Sequence, residues 1–250
     1  MSARSARLVG AVASLALLAA CGVPVEPAPA LRIPDAELRD SIDTICLNPL
    51  GIAFEFPDRA QKVAALQADI RAVLESGGFT VVPSEPVVEA FQRVNEREGG
   101  YFDPHFGWRD EAKWQRVRAQ AYAELHDRHH CDAVLIPSVA IVVAPWANGT
   151  ASWDGVEDGV SSGWSSLGSW GRVPALSLWV SVRDLRDREI YFRTGGIQVV
   201  QHLHEGFLRS TFEFIPEGDL LADASRNRNA VRLSLQDLLA ARAISVQSPP

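Results

Sequence analysis

The order of apolar and polar residues along the chain predicts a domain in which strands and helices alternate. Short apolar runs typical of strands occupy residues 44–52, 79–83 and 131–145. The third, CDAVLIPSVAIVVAP, is apolar at nearly every position, which predicts a central strand buried on both faces. Residues 175–184 (ALSLWVSVRD) alternate as a half-buried strand does. They are followed by an apolar return strand over residues 190–203, which completes a hairpin.

Four stretches have helical spacing of apolar residues. The first starts near Asp58 and stops at Gly77-Gly78, and a short second helix covers residues 85–96. A long third helix opens at Asp110, and the last covers about residues 224–242. The predicted order is therefore β-α-β-α-α-β-β-β-α. It indicates the α/β class, with a mixed sheet of about five strands and helices packed on it, in a single domain over residues 39–245.

The first 20 residues have the features of a secretory signal, with Arg4 and Arg7 before an apolar run at residues 8–18. Its end, Leu18-Ala19-Ala20-Cys21, resembles the lipobox of bacterial lipoproteins. The resemblance implies cleavage before Cys21, a diacylglyceryl group on its sulfur and N-acylation. Gly22 in place of an aspartate implies the periplasmic face of the outer membrane, which the acyl chains would bind almost irreversibly. The alternative is an ordinary secretory signal followed by a coincidental cysteine.

Residues 21–38 are predicted to be a tether that holds the domain off the membrane. Four prolines among residues 22–34 favour an extended chain. At about 3 Å per residue, that segment would reach roughly 40 Å. Loss of the signal changes the formal net charge from −7 to −9, because Arg4 and Arg7 leave with it. So acidic a chain argues against nucleic-acid binding.

Few residues in the domain suggest chemistry. Cys46 and Cys131 lie on or beside predicted strands, and either a disulfide or two buried thiols fits that placement. His202 and His204 point the same way on a strand while Glu205 points to the other face. They make a weak half-site for a metal, and two solvated histidines are the simpler interpretation. The chain has no phosphate-binding loop, dinucleotide fingerprint or nucleophile elbow, so no cofactor is predicted.

The overall pattern resembles the α/β domain of several periplasmic lipoproteins. The resemblance rests on LESGGFTVVP, HHCDAVLIPSVAIV and the hairpin ALSLWVSVRD…EIYF, of which the aspartate before the apolar strand is the most specific part. Such domains occur in the curli-secretion channel lipoprotein, in the outer-membrane activators of penicillin-binding proteins and in the N-terminal domain of the Tol–Pal propeller protein. WDGV and GGIQ are similar to envelope lipoproteins of unassigned role. The resemblance implies a binding or assembly module.

Residues 146–175 are predicted to be an extended Trp/Gly/Ser loop, much longer than a hairpin connection. Its indoles could fold back on the domain or bind a partner protein, a second copy of the chain or a glycan. A membrane-crossing hairpin like that of the curli channel fits poorly, because acidic residues interrupt both faces. We expect Trp153 to pack inward, the segment 159–168 to be mobile, and Trp164 and Trp170 to be the contact residues.

These observations lead to one expected function and one alternative. The expected function is a non-enzymatic, lipid-anchored periplasmic adaptor or assembly factor of the cell envelope, which binds an unknown envelope protein or itself. The alternative is a periplasmic hydrolase or glycan-processing enzyme with a site beside the Trp-rich segment. A cleft lined by two carboxylates would favour the enzyme, and a flat face with exposed indoles would favour the adaptor.

Overall fold

The computed structural model describes residues 29–161, 168–205 and 210–243. Within them lie five α-helices: α1 (Asp35–Ser41), α2 (Arg59–Ser76), α3 (Ser84–Arg97), α4 (Glu111–His129) and α5 (Ala224–Ala243). The strands of the same residues are β1 (Thr44–Leu47), β2 (Gly51–Ile52), β3 (Thr80–Val82), β4 (Ala133–Ala147), β5 (Thr150–Trp153), β6 (Val156–Gly159), β7 (Trp170–Asp184), β8 (Glu189–Val199), β9 (Gln201–Glu205) and β10 (Ser210–Phe214). No helix in this part of the chain combines the length and the apolar character needed to cross a bilayer.

A mixed sheet organises the fold, as predicted. β1 lies parallel to both β3 and β4, while β7 runs antiparallel to β4 along its whole length, from Ala133↔Asp184 to Ala147↔Trp170. β8 pairs antiparallel with the other side of β7. The α/β class is thus confirmed. The described part of the sheet has eight strands rather than about five, because β2, β5 and β6 add to it, and β9–β10 form a separate two-stranded sheet.

Two groups of helices cover opposite faces of the part of the sheet that contains β1, β3 and the first half of β4. α1, α2 and α5 pack on one face, with Ile70 and Leu235 buried against β4 and β7 residues such as Leu135 and Val180. α3 and α4 pack on the other face around Tyr122. Apolar stripes at helical spacing explain both layers, since each helix buries one side.

The aspartate before β4 connects the start of β4 to the start of β1. The Asp132 carboxylate accepts hydrogen bonds from the backbone N–H groups of Asp43 (3.0 Å) and Thr44 (2.8 Å). It therefore sets the starts of β1 and β4 side by side.

The prediction of a loop over residues 146–175 is wrong at both of its ends, which are strands. β4 continues to Ala147 and turns through Asn148-Gly149 into β5, which turns through Asp154-Gly155 into β6. Both residues of each turn have positive φ, as two-residue hairpin turns of this kind require. The segment 159–168, which was expected to be mobile, lies mostly outside the described residues.

Close approach over Gly195 and Gly196 lets α5 and the β5–β6 hairpin pack on β8. A Cβ on Gly195 would lie 2.2 Å from the carbonyl oxygen of Ala230, and one on Gly196 would lie 2.2 Å from Cγ2 of Val156. The ladder between β7 and β8 shifts register beside this pair, between Leu176 and Ser177. The irregularity of this ladder thus lies next to the two glycines.

The segment predicted as tether is attached to the domain over much of its length. Leu31 forms a bridge to Tyr191, and the Arg32 N–H donates to the Ile190 carbonyl (2.8 Å). α1 follows at once and buries Leu38. Prolines suit such an edge segment because they have no backbone N–H group that would have to pair with a neighbouring strand. The domain therefore begins before residue 39.

Candidate functional site

The residues predicted to contact membrane or partner have different outcomes. Cys21 and Trp164 lie outside the described residues. Trp170, at the start of β7, is 82% exposed. It stands at the upper end of the β4–β7 ladder, where it pairs with Ala147.

Residues 140–147 of β4 and 170–177 of β7 form the upper part of the β4–β7 ladder, which β5 flanks at residues 146–147 and β8 at residues 175–177; we call it the distal ribbon. Paired residues of an antiparallel ladder share a face. The pairs Val143↔Pro174, Pro145↔Arg172 and Ala147↔Trp170 therefore lie on one side, together with Ile141. We call this side the ribbon face. Ile141 is 57% and Val143 66% exposed, so the face presents an apolar surface around a single indole and one arginine.

The ribbon face is the outward continuation of the helix-covered face of the sheet. Leu135 and Val139 have the same parity in β4 as Ile141 and Val143, yet both are buried in the helix-covered core. The helix layer thus covers the lower part of the strand and leaves its upper part open. The prediction that residues 131–145 are buried on both faces is correct only for their first half.

The opposite side of the distal ribbon is closed by its own small core. Trp146 and Trp153 are buried there with Val160, Val173 and Val199. The Trp153 indole Nε1–H donates to the Leu176 carbonyl (3.3 Å). Trp153 therefore packs inward as predicted. The β5–β6 hairpin holds the ribbon from behind.

Polar contacts of two aspartates also hold the β5–β6 hairpin in place. The Asp158 carboxylate accepts a hydrogen bond from the Val199 N–H (3.0 Å) and pairs with Arg226 of α5 (2.6 Å). The Asp154 carboxylate accepts from the Ser177 hydroxyl (2.5 Å). Two of the three acidic residues of the WDGVEDG stretch, Asp154 and Asp158, thus connect β6 and the β5–β6 turn to β7, β8 and α5.

The histidine pair lies on β9, as a strand half-site would. His202 is directly opposite Glu213 of β10, and His204 Nε2 lies 3.5 Å from its Oε2. Within the described residues, no three His, Cys, Asp or Glu side chains are grouped as a metal site. On the other side of the same hairpin, Phe212 packs edge-on against Trp146 and Phe214 is exposed.

One cleft beside the β5–β6 turn contains two carboxylates. It encloses about 490 Å³ and is lined by Asp154, Thr194, Arg193 and Asp237. Asp154 already binds Ser177, and Asp237 forms an ion pair with Arg193. Both carboxylates thus have partners within the domain.

The two cysteines of the domain are joined. Cys46 of β1 and Cys131, just before β4, form a disulfide with their Cα atoms 5.7 Å apart. Both are fully buried beside Tyr122 and Leu125. The bridge links neighbouring parallel strands at the start of β4, the end of that strand opposite to the ribbon face.

Comparison with known proteins gives only distant likenesses. Neither a protein-family profile nor a curated protein sequence matches the chain. Among solved structures, lipoprotein GNA1162 of Neisseria meningitidis is similar at 20% identity, covering 62% of this chain and 81% of its own, with a TM-score of 0.30. A PelC dodecamer of Paraburkholderia phytofirmans is similar at 12% identity, covering 84% and 91%, with a TM-score of 0.35.

A third structure, a homolog of neuraminyllactose-binding hemagglutinin from Helicobacter pylori, is similar at 12% identity. The likeness covers 89% of this chain and 97% of that one, with a TM-score of 0.34. This chain is thus distantly similar to a lipoprotein of known structure. Scores of this size do not transfer a site or a partner.

Proposed function

We propose that the protein is a lipid-anchored periplasmic adaptor or assembly factor of the bacterial envelope, which binds a partner protein through the ribbon face. The observation that carries the proposal is the exposure of Ile141, Val143 and Trp170 together on one side of the distal ribbon. Tryptophan is enriched among residues that dominate binding energy. Contiguous apolar surface on a protein typically marks an interaction site.

The shape of the ribbon face suggests the chemistry of the partner. Its centre is apolar, and Arg172 lies opposite Pro145 within it. A matching surface would be flat and apolar, with a carboxylate facing the guanidinium. The alternative function, a hydrolase beside the Trp-rich segment, receives less support because both carboxylates of the adjacent cleft already have partners.

The anchor is the other half of the proposal. The lipobox ending at Cys21 and the Pro-rich residues after it support acylation and a short tether. Cys21→Ala in the full chain should release the protein from the outer-membrane fraction. A variant that sediments with outer membranes as the wild type does would contradict the anchor.

Position-specific photocrosslinking in intact cells tests the ribbon face. A benzophenone side chain placed at Val143 should give a discrete adduct, whereas the same group at Arg71, exposed on α2, should not. Adding Trp170→Ser should abolish the Val143 adduct, and Trp170→Tyr should retain part of it, because the phenol keeps an aromatic contact. Equal adducts from positions 143 and 71, or an adduct indifferent to Trp170, would refute the proposal.

The mass of the adduct separates the possible occupants. A covalent pair of this chain would indicate self-association, and an adduct with a different polypeptide would indicate an adaptor. Trp170→Ser should leave the melting temperature within a few degrees of wild type, since exposed substitutions typically change stability by about 0.5 kcal/mol or less.

A further inference from the structure

A second group of exposed aromatic residues lies in the connection between α3 and α4. Residues 101–109, which we call the aromatic loop, contain Phe102, Phe106 and Trp108. Phe106 is 71% and Trp108 75% exposed, and their rings lie 5.6 Å apart. The sequence indicates an aromatic-rich loop here, but neither the disulfide nor the ribbon face involves it.

The loop has a fixed conformation despite its exposure. The Asp103 N–H donates to the Trp108 carbonyl, and the Gly107 N–H donates to the Asp103 carbonyl, both at 2.8 Å. The Asp110 N–H closes the base by donating to Tyr101 (2.8 Å). The three exposed rings are therefore held out by a closed set of backbone hydrogen bonds and need little ordering on binding.

The only carboxylate at the tip of this loop is turned inward. Asp103 Oδ1 accepts the backbone N–H groups of His105 and Phe106, each at 2.8 Å. Below the tip, Tyr101 packs on Trp114 with ring centroids 4.8 Å apart, and Arg109 lies over the same indole. The backbone N–H groups of residues 103, 105–107 and 110 and the Asp103 carboxylate are thus paired, which lowers the cost of moving this end into an apolar medium.

Charge also distinguishes this end of the α3–α4 hairpin from the rest of the chain. Residues 97–118 contain five basic and four acidic side chains, whereas the chain as a whole has a formal net charge of −7. Arg109, Arg116 and Arg118 pair with Glu111, Glu98 and Asp187, so this end is close to neutral, and an anionic surface repels it less than it repels the chain as a whole. Trp and Phe beside basic residues are typical of segments that lie at a membrane–water interface.

Tether length brings a bilayer within reach. Because residues 30–32 pair with β8, at most residues 21–29 separate an acylated Cys21 from the domain, and at roughly 3 Å per residue a segment of that length could span about 25 Å. A domain held this close samples the surface at high effective concentration. We infer that the aromatic loop inserts Phe102, Phe106 and Trp108 into the interfacial layer of the bilayer that holds the acyl anchor. This inference rests on the lipid anchor of the proposed function.

A polarity-sensitive dye tests insertion in the acylated protein. Phe106→Cys is labelled without reduction, so that the buried disulfide stays closed, and the protein is reconstituted into vesicles of phosphatidylethanolamine with a minority of phosphatidylglycerol. The dye emission should shift to the blue and be quenched by a lipid-borne quencher. Arg71→Cys, labelled on exposed α2, is the control and should respond to neither. A dye at position 106 that stays in water, on protein that sediments with the vesicles, overturns the inference and leaves the anchor intact.

The unacylated chain tests the loop without the anchor. Mature protein with Cys21→Ala should still float with the same vesicles at high lipid concentration. Phe106→Ser with Trp108→Ser should weaken that partition about tenfold or more, because two apolar rings are lost, whereas Trp170→Ser should not change it. If the Cys21→Ala chain does not float at any lipid concentration, or if a photoprobe at position 106 captures a protein rather than lipid, the inference is wrong.

Discussion

The disulfide between Cys46 and Cys131 should be a large part of the stability of the domain. It joins residues 85 apart in sequence, and the loop that it closes contains α2, β3, α3 and α4. Loop-closure entropy for a ring of that size corresponds to about 4–5 kcal/mol at room temperature. The double change Cys46→Ala, Cys131→Ala should therefore lower the melting temperature by roughly 10–15 °C.

Urea unfolding separates the crosslink from the loss of buried sulfur. The oxidised wild type should unfold at higher urea than the double variant and with a smaller dependence on urea, since a crosslinked denatured chain exposes less surface. Under reducing conditions the wild type should fall close to the double variant. The difference that remains measures only the two small cavities left in the cluster around Tyr122 and Leu125.

The single variants give the decisive comparison. Either change alone removes the whole crosslink, so Cys46→Ala, Cys131→Ala and the double variant should lose similar stability. Additive losses, or a total loss below about 1 kcal/mol, would show that no bridge constrains the chain. Thiol labelling of the unfolded, unreduced chain should likewise find neither residue free.

Two further predictions concern close packing and buried phenols. Gly195→Ala should destabilise the domain by about 1–3 kcal/mol, because its Cβ would lie 2.2 Å from the Ala230 carbonyl oxygen; Gly159→Ala, with open space around the new Cβ, is the control in urea unfolding, and equal effects would contradict this packing. Burial raises the pKa of Tyr122 to about 12 and lifts the pKa of Tyr191 above its usual range as well. A raised pKa in the folded state means stability that is complete below about pH 10 and falls, by about 1.4 kcal/mol per pH unit and tyrosine, as the pH rises towards 12. Circular dichroism and phenolate absorbance should change together in that range, and Tyr122→Phe should shift the midpoint upward; ionisation of Tyr122 without unfolding would contradict the burial.

The order of helices and strands could be predicted because it depends on local periodicity. α2, α3, α4 and α5 each carry an apolar stripe, and β7 alternates as a half-covered strand. Spacing of this kind reflects which side of one element is buried, and the sequence displays it directly. α1 is different, because a helix of seven residues behind a proline-rich segment has too few turns to display a stripe.

The ribbon face could not be predicted from periodicity, since its exposure depends on where other elements end. Ile141 and Val143 continue the apolar run of Leu135 and Val139, and nothing local separates the covered pair from the open pair. The difference is that the helices covering Leu135 and Val139 do not extend as far as Ile141 and Val143. That boundary is set by contacts between parts of the chain far apart in sequence.

The hairpins within residues 146–159, by contrast, had a signal. Asn148-Gly149 and Asp154-Gly155 are the dipeptides most typical of two-residue hairpin turns, and each is flanked by residues that alternate between buried and exposed. Composition rich in Gly, Ser and Asp hides this signal, because the same residue types dominate loops. The buried state of Trp146 follows once the turns are recognised, since it and Ala151 become paired neighbours.

The exposure of Trp170 and the burial of Trp146 and Trp153 depend on each other. A two-stranded ribbon alone is marginally stable in water, so an exposed indole at its end would ordinarily be poorly positioned. Here Trp146 and Trp153 bury their rings against the reverse side of the ribbon, and Asp158 ties β6 to β8 and α5. The distal ribbon is thereby held before any partner arrives, which lowers the entropy lost when Trp170 is bound. Flexible composition and costly aromatic side chains are thus compatible: glycine provides the tight turns, two indoles fasten the hairpin, and a third is presented on a rigid surface.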